Sequence, residues 1–161
     1  QAVKNPLPFE PQPLPTGTIN TAELEYLPSI SADQKTLVFT RRVRGQEDFY
    51  ISRKQEGIWQ TAQPVVGVNT PKNEGSQTIS ADGKTLIFGA SGREDGYGRY
   101  DLYLSELRDG RFTPPVNMGR NVNSKARDRQ PTLSSDGQVL LFESSRSGGL
   151  GGSDIWVSYR Q

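Results

Sequence analysis

Apolar positions along this chain occur in short runs that alternate with polar positions, and clusters of Gly, Asp, Asn and Ser separate the runs. Residues 36–40, 85–89 and 139–143 are the most apolar of these runs. Short runs with period-two spacing and turn residues at both ends are typical of β-strands. Residues 22–27 and 125–129 lack a clear strand pattern and are too short for a convincing helix. The pattern therefore predicts an all-β chain.

The same pattern occurs three times, each copy having a Ser-x-Asp turn and then an apolar run that ends in Phe. The copies are residues 28–39, 77–88 and 131–142. The turn aspartates are Asp33, Asp82 and Asp136, so the spacings are 82 − 33 = 49 and 136 − 82 = 54 residues. A repeat near fifty residues that is built from short strands indicates a tandem array.

Each copy contains a third run, which opens with an aspartate. A fourth run begins with Gly-x-Trp59 in the first copy and Gly-x-Phe112 in the second, whereas the third copy stops at residues 154–158, before any fourth run. The opening aspartates are Asp48, Asp101 and Asp154. Four short strands per repeat are the composition of a β-propeller blade. We therefore predict three blades of four antiparallel strands, at about residues 18–66, 67–119 and 120–161.

In-phase aromatic residues predict the core between these blades. They are Phe39, Phe88, Phe142, Trp59 and Phe112. Residues of one type at one place in every repeat are better explained by packing than by a ligand platform.

The Pro-rich segment 1–17 keeps the same phase. Phe9 lies 59 − 9 = 50 residues before Trp59, and Phe112 lies 112 − 59 = 53 residues after it. This segment is therefore expected to be an outer strand, which belongs to a preceding blade or to the last one.

The charge and the missing residue types narrow the functional classes. The net charge is +1, so no concentrated basic composition points to nucleic acid. There is no His, the commonest general base, and no Cys, and without His no Ser-His-Asp triad can form. No apolar run is long enough to cross a bilayer, so no direct membrane insertion is expected.

The repeat resembles a known family. Residues 80–88, 100–105 and 110–124 are similar to the WD-like propeller repeat of the TolB type. Three further features resemble propellers of Bacteroidetes OmpA-family outer-membrane proteins, such as PorE of the type IX secretion system. They are the Ile/Val-Asn-Thr/Ser link between repeats, the Asn73-Glu-Gly segment and the run 148–156. The resemblance implies a periplasmic, outer-membrane-associated protein of a secretion or peptidoglycan-associated complex.

Three blades are too few to close a ring, because propellers have about four to eight. The chain is therefore expected to be part of a longer propeller, which we prefer, or half of a six-bladed ring of two chains. Either way, the open blade flanks suggest self-association.

The start of each innermost strand offers the candidate binding site, at the mouth of the central channel. Its residues are Glu25, Tyr26, Glu74, Gln77, Asp128 and Gln130. Acidic and amide groups there could take a structural cation or a peptide end, whereas the alternative is a rim of solvated side chains. We expect no other cofactor.

The remaining aspartates are predicted to be structural. Asp33, Asp82 and Asp136 cap tight turns, and Asp48, Asp101 and Asp154 open the third strand of each blade, where a blade-to-blade hydrogen bond is expected. The turns lack the extra residue and the final Trp of the sialidase aspartate box. The locally basic residues 41–44 and 120–129 are expected to be solvated.

The sequence thus predicts a non-catalytic interaction scaffold whose partners are proteins of the cell envelope. The alternative is a glycan-binding or glycan-processing propeller, which clustered channel carboxylates with perturbed pKa values and a deep pocket would favour.

Overall fold

The computed structural model describes residues 10–160, and these form strands, turns and bends. Phe9 and the beginning of segment 1–17 lie outside the described residues. Residues 10–15 are exposed and belong to no strand.

The first two sheets have five strands each. In the first, β1 (Leu24–Ile30), β2 (Thr36–Val43) and β3 (Gln46–Gln55) are neighbours, and the short β4 (Ile58–Trp59) and β5 (Gln63–Pro64) both pair with β3. In the second, β6 (Glu74–Ile79), β7 (Thr85–Ala90) and β8 (Asp101–Arg108) are neighbours, and β9 (Arg111–Phe112) and β10 (Val116–Asn117) both pair with β8.

The third sheet consists of β11 (Asp128–Leu133), β12 (Val139–Ser144) and β13 (Asp154–Tyr159). All strand pairs within the three sheets are antiparallel. The sheets contact one another in chain order, as three consecutive blades of a β-propeller do. The all-β prediction of a partial propeller is confirmed.

The innermost strands begin earlier than the sequence pattern indicated. Strand β1 starts at Leu24 and β11 at Asp128, inside the two stretches without a clear strand pattern. The reason is a bulge at one place in every innermost strand, where the pairing register shifts. The bulged residues Leu27, Ser76 and Gln130 have positive φ values of 51°, 59° and 53°. An extra residue at that point breaks the alternation from which strands are recognised.

The core lies in the joints between blades. The joint between blades 1 and 2 holds an apolar cluster in which Phe49 and Phe88 meet edge to face, with ring centres 5.2 Å apart. A second cluster, which includes Ile87, Leu102 and Phe142, fills the joint between blades 2 and 3. The aromatic residues predicted from their phase are thus packed between or against blades.

An asparagine in each of the two linkers between blades binds the linker to the third strand of the preceding blade. The side chain of Asn69 binds the backbone of Phe49, accepting from its N–H at 3.0 Å and donating to its carbonyl at 2.9 Å. Asn123 makes the same two bonds to Leu102, at 2.7 and 2.9 Å. We call this pair of bonds the asparagine clamp. The clamp shares the carbonyl with the outer segment, because Phe49 and Leu102 also accept from the backbone N–H groups of Val65 and Met118.

Within residues 10–160 there is no helix with the length and apolar character that a membrane span requires.

Loss of a clamp should destabilise the fold. Asn123 is only 3% exposed, so Asn123→Ala leaves the buried N–H of Leu102 without its partner, whereas the Leu102 carbonyl still accepts from the Met118 N–H. We expect the free energy of unfolding to fall by about 2 kcal/mol. Urea denaturation followed by tryptophan fluorescence measures it. The exposed Asn121→Ala in the same loop is the control and should change stability by less than about 0.5 kcal/mol. Equal effects of both substitutions would contradict the clamp.

Candidate functional site

The three candidate acidic residues lie at the start of β1, β6 and β11, and each is bound by an arginine of its own blade. Glu74 and Asp128 are fully buried, and Glu25 is nearly so. The pairs are Glu25 with Arg41 at 2.8 Å, Glu74 with Arg93 at 3.0 Å and Asp128 with Arg146 at 2.6 Å. These carboxylates are therefore committed to internal ion pairs.

Each arginine makes two further interactions of the same kind. It donates to the carbonyl of the residue before the linker asparagine, namely Ile19, Val68 or Val122. Its guanidinium also lies over two aromatic rings that face each other across the second and third strands. These ring pairs are Phe39 with Tyr50, Phe88 with Tyr103 and Phe142 with Trp156, at 4.2 to 5.5 Å from the guanidinium. We call this set the arginine anchor.

A hydroxyl from the linker completes each anchor. Thr21 donates to Glu25 at 2.5 Å, Thr70 to Glu74 at 2.6 Å and Ser124 to Asp128 at 2.8 Å. The linker motif Ile/Val-Asn-Thr/Ser therefore has one task per residue. The apolar residue packs between blades, the asparagine forms a clamp after blades 1 and 2, and the hydroxyl binds the innermost strand.

The buried carboxylates differ in their pKa values although their anchors are alike. Burial raises the pKa of Glu74, and the bonds from Thr70 and Arg93 offset this only partly. Burial also acts to raise the pKa of Asp128, but hydrogen bonds, chiefly from Ser144 and Arg146, outweigh it and lower the pKa. Ser144 supplies an extra bond of 2.6 Å, and its place in blade 2 is taken by Ala90, which cannot donate one.

The expected channel-mouth ring is thus not formed by exposed acids, because their burial requires internal partners. Of the other candidates, Tyr26 donates its hydroxyl to Glu47 at 2.6 Å, and burial is the main cause of the upward shift of its pKa. Gln77 is buried and bridges blades 1 and 2, since it accepts from the Thr40 hydroxyl and donates to the Leu27 carbonyl. Gln130 is exposed at its bulge.

Among residues 10–160 no group of three or more acidic side chains is arranged to hold a metal ion. The cation that the sequence allowed at the channel mouth therefore has no ligand set in this part of the chain.

The turn aspartates do cap their turns. Asp33, Asp82 and Asp136 accept from the serine two residues earlier at 2.6, 2.5 and 2.5 Å and from a backbone N–H two residues later. Those serine hydroxyls, followed by the backbone bonds, lower the pKa of each aspartate.

The strand-opening aspartates bind within their own blades, and the expected blade-to-blade bond is not among the hydrogen bonds of residues 10–160. Asp101 accepts from the backbone N–H groups of Tyr97 and Gly98 at 2.8 and 3.2 Å, and Asp154 accepts from that of Gly151 at 3.2 Å. Asp48 accepts only from Gln46, at 3.4 Å. Asp101 and Asp154 do not bind a neighbouring blade because the loop before each of them folds back and supplies the N–H groups that the carboxylate accepts.

Sequence reasoning missed the arginines. The basic stretch 41–44 predicts a solvated Arg41, yet Arg41 is only 8% exposed. Arg41 lies on β2, whereas Arg93 and Arg146 follow β7 and β12, so the three do not share one repeat position. The linker motif was the available signal, because its hydroxyl and the acid four residues later recur in all three blades.

Comparison with solved structures identifies the fold. The chain is similar to TolB from Acinetobacter baumannii, with a TM-score of 0.57, 19% identity and coverage of 82% of this chain and 29% of that one. It is also similar to a TolB of Agrobacterium tumefaciens, with a TM-score of 0.56, 22% identity and coverage of 81% and 40%. The chain thus spans less than half of either structure.

No protein-family model and no curated protein matches the chain. The structural neighbours support the TolB-type part of the sequence resemblance, and nothing in these comparisons supports the OmpA-family part.

Breaking one anchor should be costly. Arg146→Met leaves the fully buried Asp128 without its cation, and we expect a loss of about 3 kcal/mol in the free energy of unfolding. Chemical denaturation measures it, and the exposed Arg120→Met serves as control. In the double variant with Asp128→Asn, the loss should be smaller than the sum of the two single losses. Additive losses would show that the pair does not act as a unit.

The pH dependence of stability should show the contribution of Ser144, which donates an extra hydrogen bond to Asp128 in blade 3. Because the pKa of Asp128 is lowered in the folded state, its contribution is present above the ordinary aspartate pKa and is lost as the pH falls through the folded value. Ser144→Ala should therefore cost about 1.5 kcal/mol at neutral pH. The difference from wild type should shrink as the pH falls below about 4.

Urea titrations over a series of pH values measure this difference. Ser147→Ala, at an exposed loop position, is the matched control and should track wild type at every pH. A Ser144→Ala deficit that stays constant down to low pH would refute the role given to this hydroxyl.

Proposed function

We propose that this chain is the propeller part of a non-catalytic protein-interaction scaffold in the periplasm. The observation that carries the proposal is the contrast between the blade frame and its loops. All three blades keep the arginine anchor, while the loops between their second and third strands differ in length and, apart from the anchor residues Arg93 and Arg146, in sequence. These loops are residues 44–45, 91–100 and 145–153. A constant frame with variable loops is the usual design of a recognition surface.

The loop of blade 2 is held in a fixed position. Arg99 donates its N–H to the carbonyl of Ala126 at 2.8 Å, and the carbonyl of Tyr100 accepts from Asp128 at 2.9 Å. A Cβ atom at Gly98 would lie only 2.4 Å from the Ala126 oxygen, so the close approach requires glycine. This loop is therefore presented rigidly, which reduces the entropy that a partner must remove on binding.

The tips of the two long loops carry apolar side chains in solvent. Leu150 is fully exposed in a Gly-rich loop, and Tyr97 is 42% exposed beneath the guanidinium of Arg120, which lies 5.2 Å from its ring centre. An aromatic ring next to an arginine is a frequent combination at protein interfaces. These two tips are the contacts that we assign to a protein partner.

The candidate carboxylates argue against the glycan-processing alternative. Glycoside hydrolysis requires two carboxyl groups that can reach the substrate. Glu74 and Asp128 are fully buried, and each is held by an arginine and a hydroxyl. The same saturation supports the proposal that the chain is not an enzyme.

The location and the assembly follow from resemblance. Likeness to the TolB type supports a periplasmic site of action, and the sequence similarity to OmpA-family propellers supports attachment to an outer-membrane or peptidoglycan-associated complex, such as a secretion machine. The partner is accordingly a protein of the cell envelope.

Site-specific cross-linking tests this proposal. A photoreactive residue is placed at Tyr97, at Leu150 or at Ile58, whose hairpin lies at the opposite end of β3. In envelope fractions we expect one protein adduct from the two loop positions and none from position 58. Leu150→Ser should weaken the adduct from position 97 at least tenfold, and Tyr97→Ser should weaken that from position 150 equally. Neither should lower the free energy of unfolding, because neither residue belongs to an anchor.

Equal adducts at all three positions would contradict the proposal. A second contradicting outcome is the absence of any protein adduct together with saturable binding of peptidoglycan fragments or sialosides. In that case Tyr97→Ser with Leu150→Ser would leave the binding of these glycans unchanged.

A further inference from the structure

The linker between blades 2 and 3 is basic, unlike the equivalent stretches before blades 1 and 2. Residues 119–127 contain Arg120, Lys125 and Arg127, whereas residues 65–73 contain one basic residue and residues 16–24 contain none. The asparagine and the hydroxyl that the blade frame requires recur in all three stretches. Because the three basic residues do not recur, the needs of the frame do not account for them.

These basic residues lie on either side of the blade 2 loop. Arg120 covers the ring of Tyr97, with its guanidinium 5.2 Å from the ring centre. On the other side, Tyr100 forms a parallel bridge with Arg127. The loop itself adds Arg99, whose N–H donates at 2.8 Å to the carbonyl of residue 126. Four exposed basic side chains therefore lie in or beside the loop, and we call them the basic ridge: Arg99, Arg120, Lys125 and Arg127.

Within residues 10–160 no acidic side chain forms an ion pair with the basic ridge. Glu143 is committed to Arg129, from which it accepts two bonds of 3.0 Å. In the loop, Asp95 accepts from the Tyr103 hydroxyl at 3.0 Å, and Glu94 is exposed without an ion pair among the described residues. The charges of the ridge are therefore available to a partner.

The backbone donors of the loop are already in use. Tyr97 and Gly98 donate their N–H groups to Asp101, and Arg99 donates its own to the linker. Phosphate groups are commonly held by backbone N–H groups that converge on one point. The ridge offers side-chain cations spread around an exposed tyrosine ring, a combination that is enriched at protein interfaces. Carboxylates of a protein segment fit this arrangement better than a phosphate does.

We propose that the basic ridge binds an acidic segment of the partner protein, a run of Asp and Glu side chains that lies across residues 97–100 and 120–127. Because this segment belongs to the partner that contacts Tyr97, the inference rests on the proposed function above. Charges around the edge of a contact mainly attract the partner and orient it, so they raise the association rate. Binding should therefore weaken as the salt concentration rises.

Charge reversal in the envelope fractions tests the role of the ridge. Lys125→Glu with Arg127→Glu should weaken the adduct from a photoreactive residue at position 150 by about tenfold or more. Lys84→Glu with Arg111→Glu is the matched control. It makes the same change in charge, with the same residue types, at the opposite end of β7 and β8, and it should leave the adduct unchanged.

Both double variants should keep the melting temperature of the wild-type chain. None of the four side chains forms a hydrogen bond or an ion pair within residues 10–160, so their reversal removes no internal contact. Thermal unfolding followed by tryptophan fluorescence checks this and separates lost binding from misfolding.

A defined probe examines the ridge without the partner. Fluorescein-labelled octaglutamate should bind the purified wild-type chain and the control variant, as measured by fluorescence anisotropy. Its Kd should rise about tenfold or more in Lys125→Glu with Arg127→Glu. The Kd for the wild-type chain should also rise between about 50 and 300 mM salt. Polyphosphate of equal charge serves as the comparison ligand.

The outcomes distinguish this inference from the proposed function. A position-150 adduct that charge reversal leaves unchanged would overturn the inference alone, and so would octaglutamate binding that is absent or equal in the two double variants. Tighter binding of polyphosphate than of octaglutamate would overturn the acidic protein segment in favour of a phosphate polymer. Octaglutamate binding that depends on the ridge, without any protein adduct, would support the ridge as an acidic-segment site and contradict the proposed loop contacts.

Discussion

The burial of one arginine–carboxylate pair in every blade is the interaction on which this structure depends. An innermost propeller strand begins where three neighbouring parts meet: the linker, the second strand and the loop that follows it. Each part brings backbone groups that need partners. The guanidinium satisfies them together, because it binds the linker carbonyl and the carboxylate while its face rests on two aromatic rings. Removal of either charge strands the other in the interior, so the pair is fixed within the frame.

The frame could be predicted from the sequence because it repeats. The Ser-x-Asp turns and the phase of Phe39, Phe88 and Phe142 were sufficient for the number of blades and for the core, since regular spacing is a local property. The anchors could not be predicted, because Arg41, Arg93 and Arg146 reach equivalent places from different backbone positions. The sequence therefore places Glu74 and Asp128 at the channel mouth, because it does not show the arginines and hydroxyls that bind them in the folded chain.

The inner strands show a second limit of sequence patterns. Their bulges at Leu27, Ser76 and Gln130 use three unrelated residue types, none of them glycine, in the left-handed region. Backbone strain of this kind is imposed by the surrounding sheet and leaves no trace in composition. The position is therefore visible only in the folded chain, although it sets which side chains of β1, β6 and β11 face the channel.

The linker motif has a consequence for how such chains change during evolution. Ile/Val-Asn-Thr/Ser joins the outer strand of one blade to the innermost strand of the next, so each linker belongs to two blades at once. A gene duplication of one repeat length therefore copies a complete joint wherever its endpoints fall. Blades can be gained or lost in tandem without a new interface having to arise, whereas the loops between second and third strands diverge independently.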